Sequence, residues 1–337
     1  MEAVGNLSPM GAAPVATVVV VSRDRWSLAS RTLDLLLART DRRHPVVVVD
    51  GQAPRPMAAA FDRLAASGRI RVARRGGFLA SNEARNIGAD GARTEWVAFV
   101  ENDAVPSEGW LETLLESGEA LEASSVYPAY LEPGRNGPIV HGIGADLEVS
   151  GIAGARCLRE RPHRQGRLWH EIAAELEPAE RVQAEPHAIA VRRELLERMG
   201  GFDEGLLSWF DHTDLALHHR RLGAAAWFVP AVTCMYLTPP PIAFSDLPSF
   251  ALRWGEDWFE RSLDHLCAVW GLDRHDSEWA MHSEYRTFVR RSVLTPWSRV
   301  NAVVDRAVVP VERLVARRWH ARRCTISTAC STRWPSP

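Results

Sequence analysis

The chain has 337 residues, 46% apolar and 24% charged, the profile of a soluble globular protein with one large core or two modest ones. A formal net charge of −2 argues against nucleic-acid binding by bulk electrostatics, and all 40 basic side chains are arginine, which excludes lysine Schiff-base and P-loop chemistry. Five scattered cysteines without C-x-x-C spacing point to neither a zinc site nor a disulfide framework, and fit a reducing compartment.

Residues 1–14 have no basic stretch followed by an apolar one, so they read as a disordered start rather than a signal peptide. Strand and helix then alternate. Strands are expected at 15–21, 46–49, 70–73 and 96–100, and helices at 26–39, 56–66, 79–91 and 108–118. This alternation, with strands that are apolar throughout, predicts an α/β fold: a mainly parallel sheet covered by helices on both faces. From about 130 to 185 the pattern loosens into Gly/Pro-rich pieces such as His141-Gly142-Ile143-Gly144-Ala145-Asp146. Helices return at 192–199 and 211–222, ended by Gly200-Gly201 and Gly223, and a strand follows at 225–229. The Pro239-Pro240-Pro241 break precedes a helical, Trp-rich region that continues to about residue 322.

The expected organisation is a main domain over 15–245, a helical extension over 246–323 and a disordered Ser/Thr-rich tail over 324–337. Residues 297–323 interleave apolar positions with arginines. That pattern fits a helix packed on the domain with a solvated basic face, or a helix lying on a membrane surface. No apolar run reaches the length of a membrane span, so the expected location is cytoplasmic, with peripheral contact at the inner membrane face as a variant.

The most informative stretch is 96–106. An apolar run, Trp96 to Val100, ends abruptly in Glu101-Asn102-Asp103, and Pro106 is expected to stop the ladder. Two carboxylates at i and i+2 on the carboxyl end of a core strand lie where open α/β sheets place their ligands. They suit a hard divalent cation that shares oxygens with a diphosphate. An isolated acid-x-acid pair is more often a polar turn, so its neighbours decide. Those neighbours are Ser22-Arg23-Asp24 after the first strand, Asp50 at the tip of the second, and Ala84-Arg85-Asn86-Ile87-Gly88 on the helix before the acidic pair. Further along come Gly200-Gly201-Phe202-Asp203-Glu204 and Trp209-Phe210-Asp211-His212-Thr213-Asp214.

Taken in this order, across roughly residues 15–240, the chain resembles the family 2 glycosyltransferases of GT-A (Rossmann-like) fold. The resemblance implies transfer of a sugar from a UDP- or dTDP-linked donor to an acceptor hydroxyl, with inversion and a carboxylate general base. It implies that Ser22, Asp24 and Asp50 contact the donor's nucleoside and that Glu101 lies near its ribose. Arg85 is then a candidate for the diphosphate region, and Asp103 for the Mg²⁺ or Mn²⁺ ligand. Asp211, expected at a helix N-terminus that favours its ionised form, is the leading base, with His212 second. His187, Trp209 and Asp214 are expected on the acceptor side. Packed roles remain open for His187 and Trp209, and a helix-surface ion pair for Arg85.

The chain departs from the family pattern in three places. Glu101 stands where aspartate is common, and Asp211-His212-Thr213-Asp214 replaces Glu-Asp-x-Asp, a version that resembles a rhamnosyltransferase-like branch. Tyr236 fills the place of a usual histidine ligand, which weakens the expectation of metal dependence. These departures leave a second reading open: a catalytically silent GT-A domain that binds nucleotide sugar or acts as a scaffold. The implied partners are the donor and an acceptor of unspecified class, lipid-linked glycan, cell-envelope or natural product.

Overall fold

The computed structural model describes residues 15–21, 25–152, 155–238, 242–294, 310 and 312–319. Ser22 and Asp24 lie outside the described residues, as do 1–14, 324–337 and most of 297–323.

In chain order the N-terminal half contains β1 (Ala16–Val21), α1 (Trp26–Ala38), β2 (Val46–Gly51), α2 (Arg55–Ala66), β3 (Arg71–Arg75), α3 (Ser81–Ala89), β4 (Trp96–Glu101), β5 (Ala104–Pro106) and α4 (Trp110–Ala120). Then follow β6 (Ser125–Glu132), β7 (Ile139–Gly142), β8 (Ala145–Ile152), β9 (Ala155–Pro162), α5 (Trp169–Ile172), β10 (Ala179–Glu180), β11 (Ala188–Arg192) and α6 (Arg193–Met199). The remainder comprises α7 (Asp211–Leu222), β12 (Ala226–Tyr236), α8 (Leu247–Arg253), α9 (Glu256–Trp270) and α10 (Glu278–Leu294).

The main sheet runs β10-β12-β6-β11-β4-β1-β2-β3, with β5 added to β12 and β7 to β6. β3, β2, β1 and β4 are mutually parallel, as their helical crossovers require. β11 then runs antiparallel between β4 and β6, so the sheet is mixed. Ala188 to Val191 are buried on both faces, and such a strand reads the same from sequence in either direction.

α3 crosses β1 and β2 closely because Gly88 offers no side chain. A Cβ built there would lie 2.1 Å from Val19 Cγ1 and 3.0 Å from Val49 Cγ2, both in the central ladder. Gly88→Ala should therefore destabilise the protein by about 1–3 kcal/mol, read as a lower urea midpoint at unchanged slope.

Two strand expectations change. Pro106 does not stop pairing: it sits opposite Cys234 in β5, an edge strand, where a missing N–H costs no ladder bond. β12 continues to Tyr236, well past Val229, because its register shifts between Phe228 and Thr233 and so accommodates Pro230 in a bulge.

Apolar side chains form two clusters. One lies on the main sheet and the other joins Leu206–Phe210, α7 and the β8–β9 hairpin to α8, α9 and α10. Within 312–319, Ala316 and Trp319 are buried. Trp319 lies 4.9 Å from the Trp258 ring and donates its indole N–H to the Phe78 carbonyl at 2.5 Å, while Glu312 pairs with Arg290 at 2.8 Å. The described part of that basic stretch thus packs on the protein.

Candidate active site

The end of β4 is fixed from both sides. Glu101 faces Val21 across the parallel ladder, its N–H donates to the His187 carbonyl (2.9 Å), and the Asn102 N–H donates to Val21 (3.1 Å). The Asp103 carbonyl accepts from Leu237 N–H at the end of β12 (2.9 Å), so the acidic turn is clamped between β1, β11 and β12. Glu101, Asn102 and Asp103 are all buried.

Arg85 is the hub of the site, rather than a helix-surface ion pair. It is fully buried on α3, and its Nη1 donates to Asn82 Oδ1 (2.7 Å) and Asp211 Oδ2 (2.6 Å) while Nη2 donates to Glu101 Oε1 (3.0 Å). One guanidinium thus joins the β4 terminus to the first residue of α7. Glu101 Oε2 meets His187 Nδ1 at 2.6 Å, and His187 Nε2 meets Glu185 Oε2 at 2.7 Å. Glu185 also meets His141 Nε2 at 3.1 Å, and His141 Nδ1 contacts Glu132. The Tyr236 ring stacks on His187, with centroids 4.0 Å apart, and leans on His141 at 4.9 Å.

Charge in this network is set by neighbours rather than by burial alone. Burial opposes a charge on His141, yet the Glu185 and Glu132 carboxylates raise its pKa to about 10. Burial likewise opposes charge on His187, and Glu101 and Glu185 outweigh it. Burial would raise Glu185, but the His141 and His187 imidazoliums hold it well below its ordinary value.

His212 lies 3.8 Å from Asp211 Oδ1 through Nδ1, and 3.8 Å from Glu160 Oε2 through Nε2. Against the cost of burial, Asp211 and Glu160 push its pKa well above the ordinary value, which favours the protonated ring. Asp211, His212, His187 and Glu185 line one cavity of 310 Å³, with Trp209 and Tyr285 on its apolar side. Trp209 is held edge-on against Trp254 and Phe259, at 5.4 and 5.1 Å, and donates Nε1–H to the Arg253 carbonyl at 2.5 Å.

Two of the residues expected in the site have partners outside the cavity lining. Asp50 at the tip of β2 accepts from the Ala53 N–H (2.7 Å) and from Arg74 Nε (3.0 Å), closing its own turn. Asp214 accepts from Trp270 Nε1 (2.8 Å) and does not line the cavity. Burial raises its carboxyl to about 7, the Trp270 bond pulling the other way. The unfolded carboxyl loses its proton first, near pH 4, so stability falls as pH rises from about 4 to 7, by up to about 4 kcal/mol. Asp214→Asn should flatten this loss, measured as urea midpoints at pH 5 and pH 8.

His141, Glu132, Glu185, Glu160 and His282 were not anticipated. Glu185-Pro186-His187 was legible as a pair of chemically able side chains two apart at a strand entrance. Nothing local signals that His141 would meet it across the sheet.

Two groups among the described residues bring three possible ligand atoms each within 4.8 Å of one another: His141, Glu185 and His187, and Glu160, Glu278 and His282. The first group offers two imidazoles and a carboxylate beside Tyr236, a mixed donor set that fits Mn²⁺ better than Mg²⁺. Nitrogen donors therefore stand next to the tyrosine that replaces the expected histidine, supplied by other strands.

The profile described as Glycosyl transferase family 2 matches residues 17–200. Among solved structures, GalNAc-T7 with UDP, GalNAc and Mn²⁺ superposes with a TM-score of 0.51 at 16% identity, over 82% of this chain and 55% of that one. The mannosyltransferase PcManGT from Pyrobaculum calidifontis, in complex with GDP-Man and Mn²⁺, superposes with a TM-score of 0.50 at 16% identity, over 96% and 77%. At such identity the likeness is one of fold, and the chain spans only about half the length of the first. No curated protein matches the chain.

Proposed function

The chain belongs to glycosyl transferase family 2, and from that membership we propose that it transfers a sugar from a UDP- or dTDP-linked donor to an acceptor hydroxyl, with inversion. The acceptor oxygen bonds to the anomeric carbon, the bond from that carbon to the nucleoside diphosphate breaks, and the acceptor proton passes to a protein base. The observation that carries this reading is the Arg85 bridge, which sets the β4 acidic turn and the cavity-lining Asp211 in one rigid unit.

Asp211 is the base. His212, whose pKa its carboxylate neighbours raise, is less suited to take the acceptor proton and serves as a cation beside Asp211. Asp103, at the buried end of β4, would hold a divalent ion. When bound, that ion offsets charge on the departing diphosphate. Arg85 fixes Asp211 toward the cavity, and Trp209 and Tyr285 give the acceptor an apolar wall. The UDP and GDP-Man complexes of the two structural neighbours are in keeping with a nucleotide-sugar donor. Placement in a rhamnosyltransferase-like branch rests on Asp211-His212-Thr213-Asp214 alone. The transferase unit would span 15–245, with 246–323 as a helical extension. No helix among the described residues is long and apolar enough to cross a membrane.

Thermal unfolding of the purified chain should shift upward with a UDP- or dTDP-sugar, and further with Mn²⁺ present. Absence of a shift across a panel of nucleotide sugars would overturn the donor assignment. Binding without transfer to any acceptor would leave a silent domain.

A further inference from the structure

The second cluster, Glu160, Glu278 and His282, shares no residue with the acidic turn of β4 or with the His141 group. Glu278 and His282 stand one turn apart on α10, and so share a helix face. Glu160 comes from β9, its Oε1 fixed by the Thr213 hydroxyl at 2.7 Å. Its Oε2 lies 3.8 Å from His282 Nε2, too far for a hydrogen bond. Two ligands held at about 2.1 Å in a tetrahedral shell are separated by about 3.4 Å, so small side-chain shifts would close them around one ion.

Two further features point the same way. His282 Nε2 is buried and has no hydrogen-bond partner among the described residues, although its side chain is only 13% exposed. His141 and His187, by contrast, are each held between two carboxylates. Glu160 and His282 also border the 310 Å³ cavity, which leaves room for a water as fourth ligand. Glu278 is not idle without an ion: its Oε1 accepts from the Glu160 N–H at 3.2 Å, and Arg159 Nη1 lies 4.0 Å from its Oε2.

We propose that Glu160, Glu278 and His282 form a second divalent-metal site, of the mixed oxygen and nitrogen class that takes Zn²⁺, tying β9 to α10 beside the cavity. The ion fixes α10, and with it the cavity-lining Met281 and Tyr285. Its role is positional, and it does not depend on which sugar is transferred.

The test uses the full chain, stripped with a chelator and titrated with Co²⁺ and then Zn²⁺, in an Asp103→Asn background that weakens the other candidate site. The expected result is one equivalent of Co²⁺ with a visible d–d absorption, displaced by Zn²⁺, and a Zn²⁺-dependent rise in unfolding temperature. His282→Ala should abolish the band and the rise, and Glu160→Gln should weaken affinity at least tenfold. His282→Gln provides the same comparison with the packing against Phe210 better preserved. Equal binding by the His282 and Glu160 variants, or no uptake in the Asp103→Asn protein, would overturn the proposal. Loss of sugar transfer alone would not bear on it, because the readout is spectroscopic.

Discussion

Arg85→Met should destabilise the protein by about 3–5 kcal/mol, the largest effect expected from any single substitution in the site. The methionine fills similar space but leaves Glu101 and Asp211 without the guanidinium that joins them at 3.0 and 2.6 Å. Both carboxylates are almost wholly enclosed, at 0% and 8% side-chain exposure, so water cannot replace the lost donors. Lysine is no conservative substitute, since one ammonium cannot reach Asn82, Asp211 and Glu101 with the fork geometry that Arg85 uses. Denaturant unfolding measures the loss. The double variant Arg85→Met/Glu101→Gln should recover part of it, because it removes one of the two buried charges that lost the guanidinium. Full additivity of the two changes would show that the bridge does not hold the site together.

Asp211→Asn should lower turnover about 10²- to 10⁴-fold while leaving donor-induced thermal stabilisation in place. Asparagine keeps an oxygen for Arg85 but cannot take the acceptor proton. His212→Gln separates the two candidates for the base. With Asp211 as base, it should reduce the rate much less than Asp211→Asn, and shift the pH profile through loss of the neighbouring cation. A larger loss in His212→Gln than in Asp211→Asn would reverse the assignment. The Asp211 result bears on chemistry and the Arg85 result on architecture, so the two can fail separately.

The parallel half of the fold was readable because β1, β2 and β4 are largely apolar and strand alternates with helix, as in Val46 to Val49 before α2, although the edge strand β3 is rich in arginine. β11 was not, because buried strands of either direction have the same composition. The site was legible where chemistry is local: Glu101-Asn102-Asp103 at a strand end, and Asp211 at a helix start. Arg85 was visible as a residue but not as a bridge, since its partners lie 16 and 126 positions away. Asp50 and Asp214 show the same limit from the acidic side. Acidic residues at strand tips and on helix faces can serve the backbone or a buried indole, and sequence alone does not reveal which way they turn.

The reversal of β11 has a consequence for redesign. A parallel sheet presents to its ligand edge only loops that leave strands. Here the chain also arrives at that edge, delivering Glu185 and His187 just before Ala188 enters the ladder. The register of β11 is held independently, by Ile189 against Phe99 and Ala190 against Val126. The stretch before β10, over 173–178, can therefore be lengthened at small entropic cost without displacing Glu101, since β10 and β11 are both anchored in the sheet. Grafting there alters the approach to the cavity while leaving the β1–β4 ladder untouched.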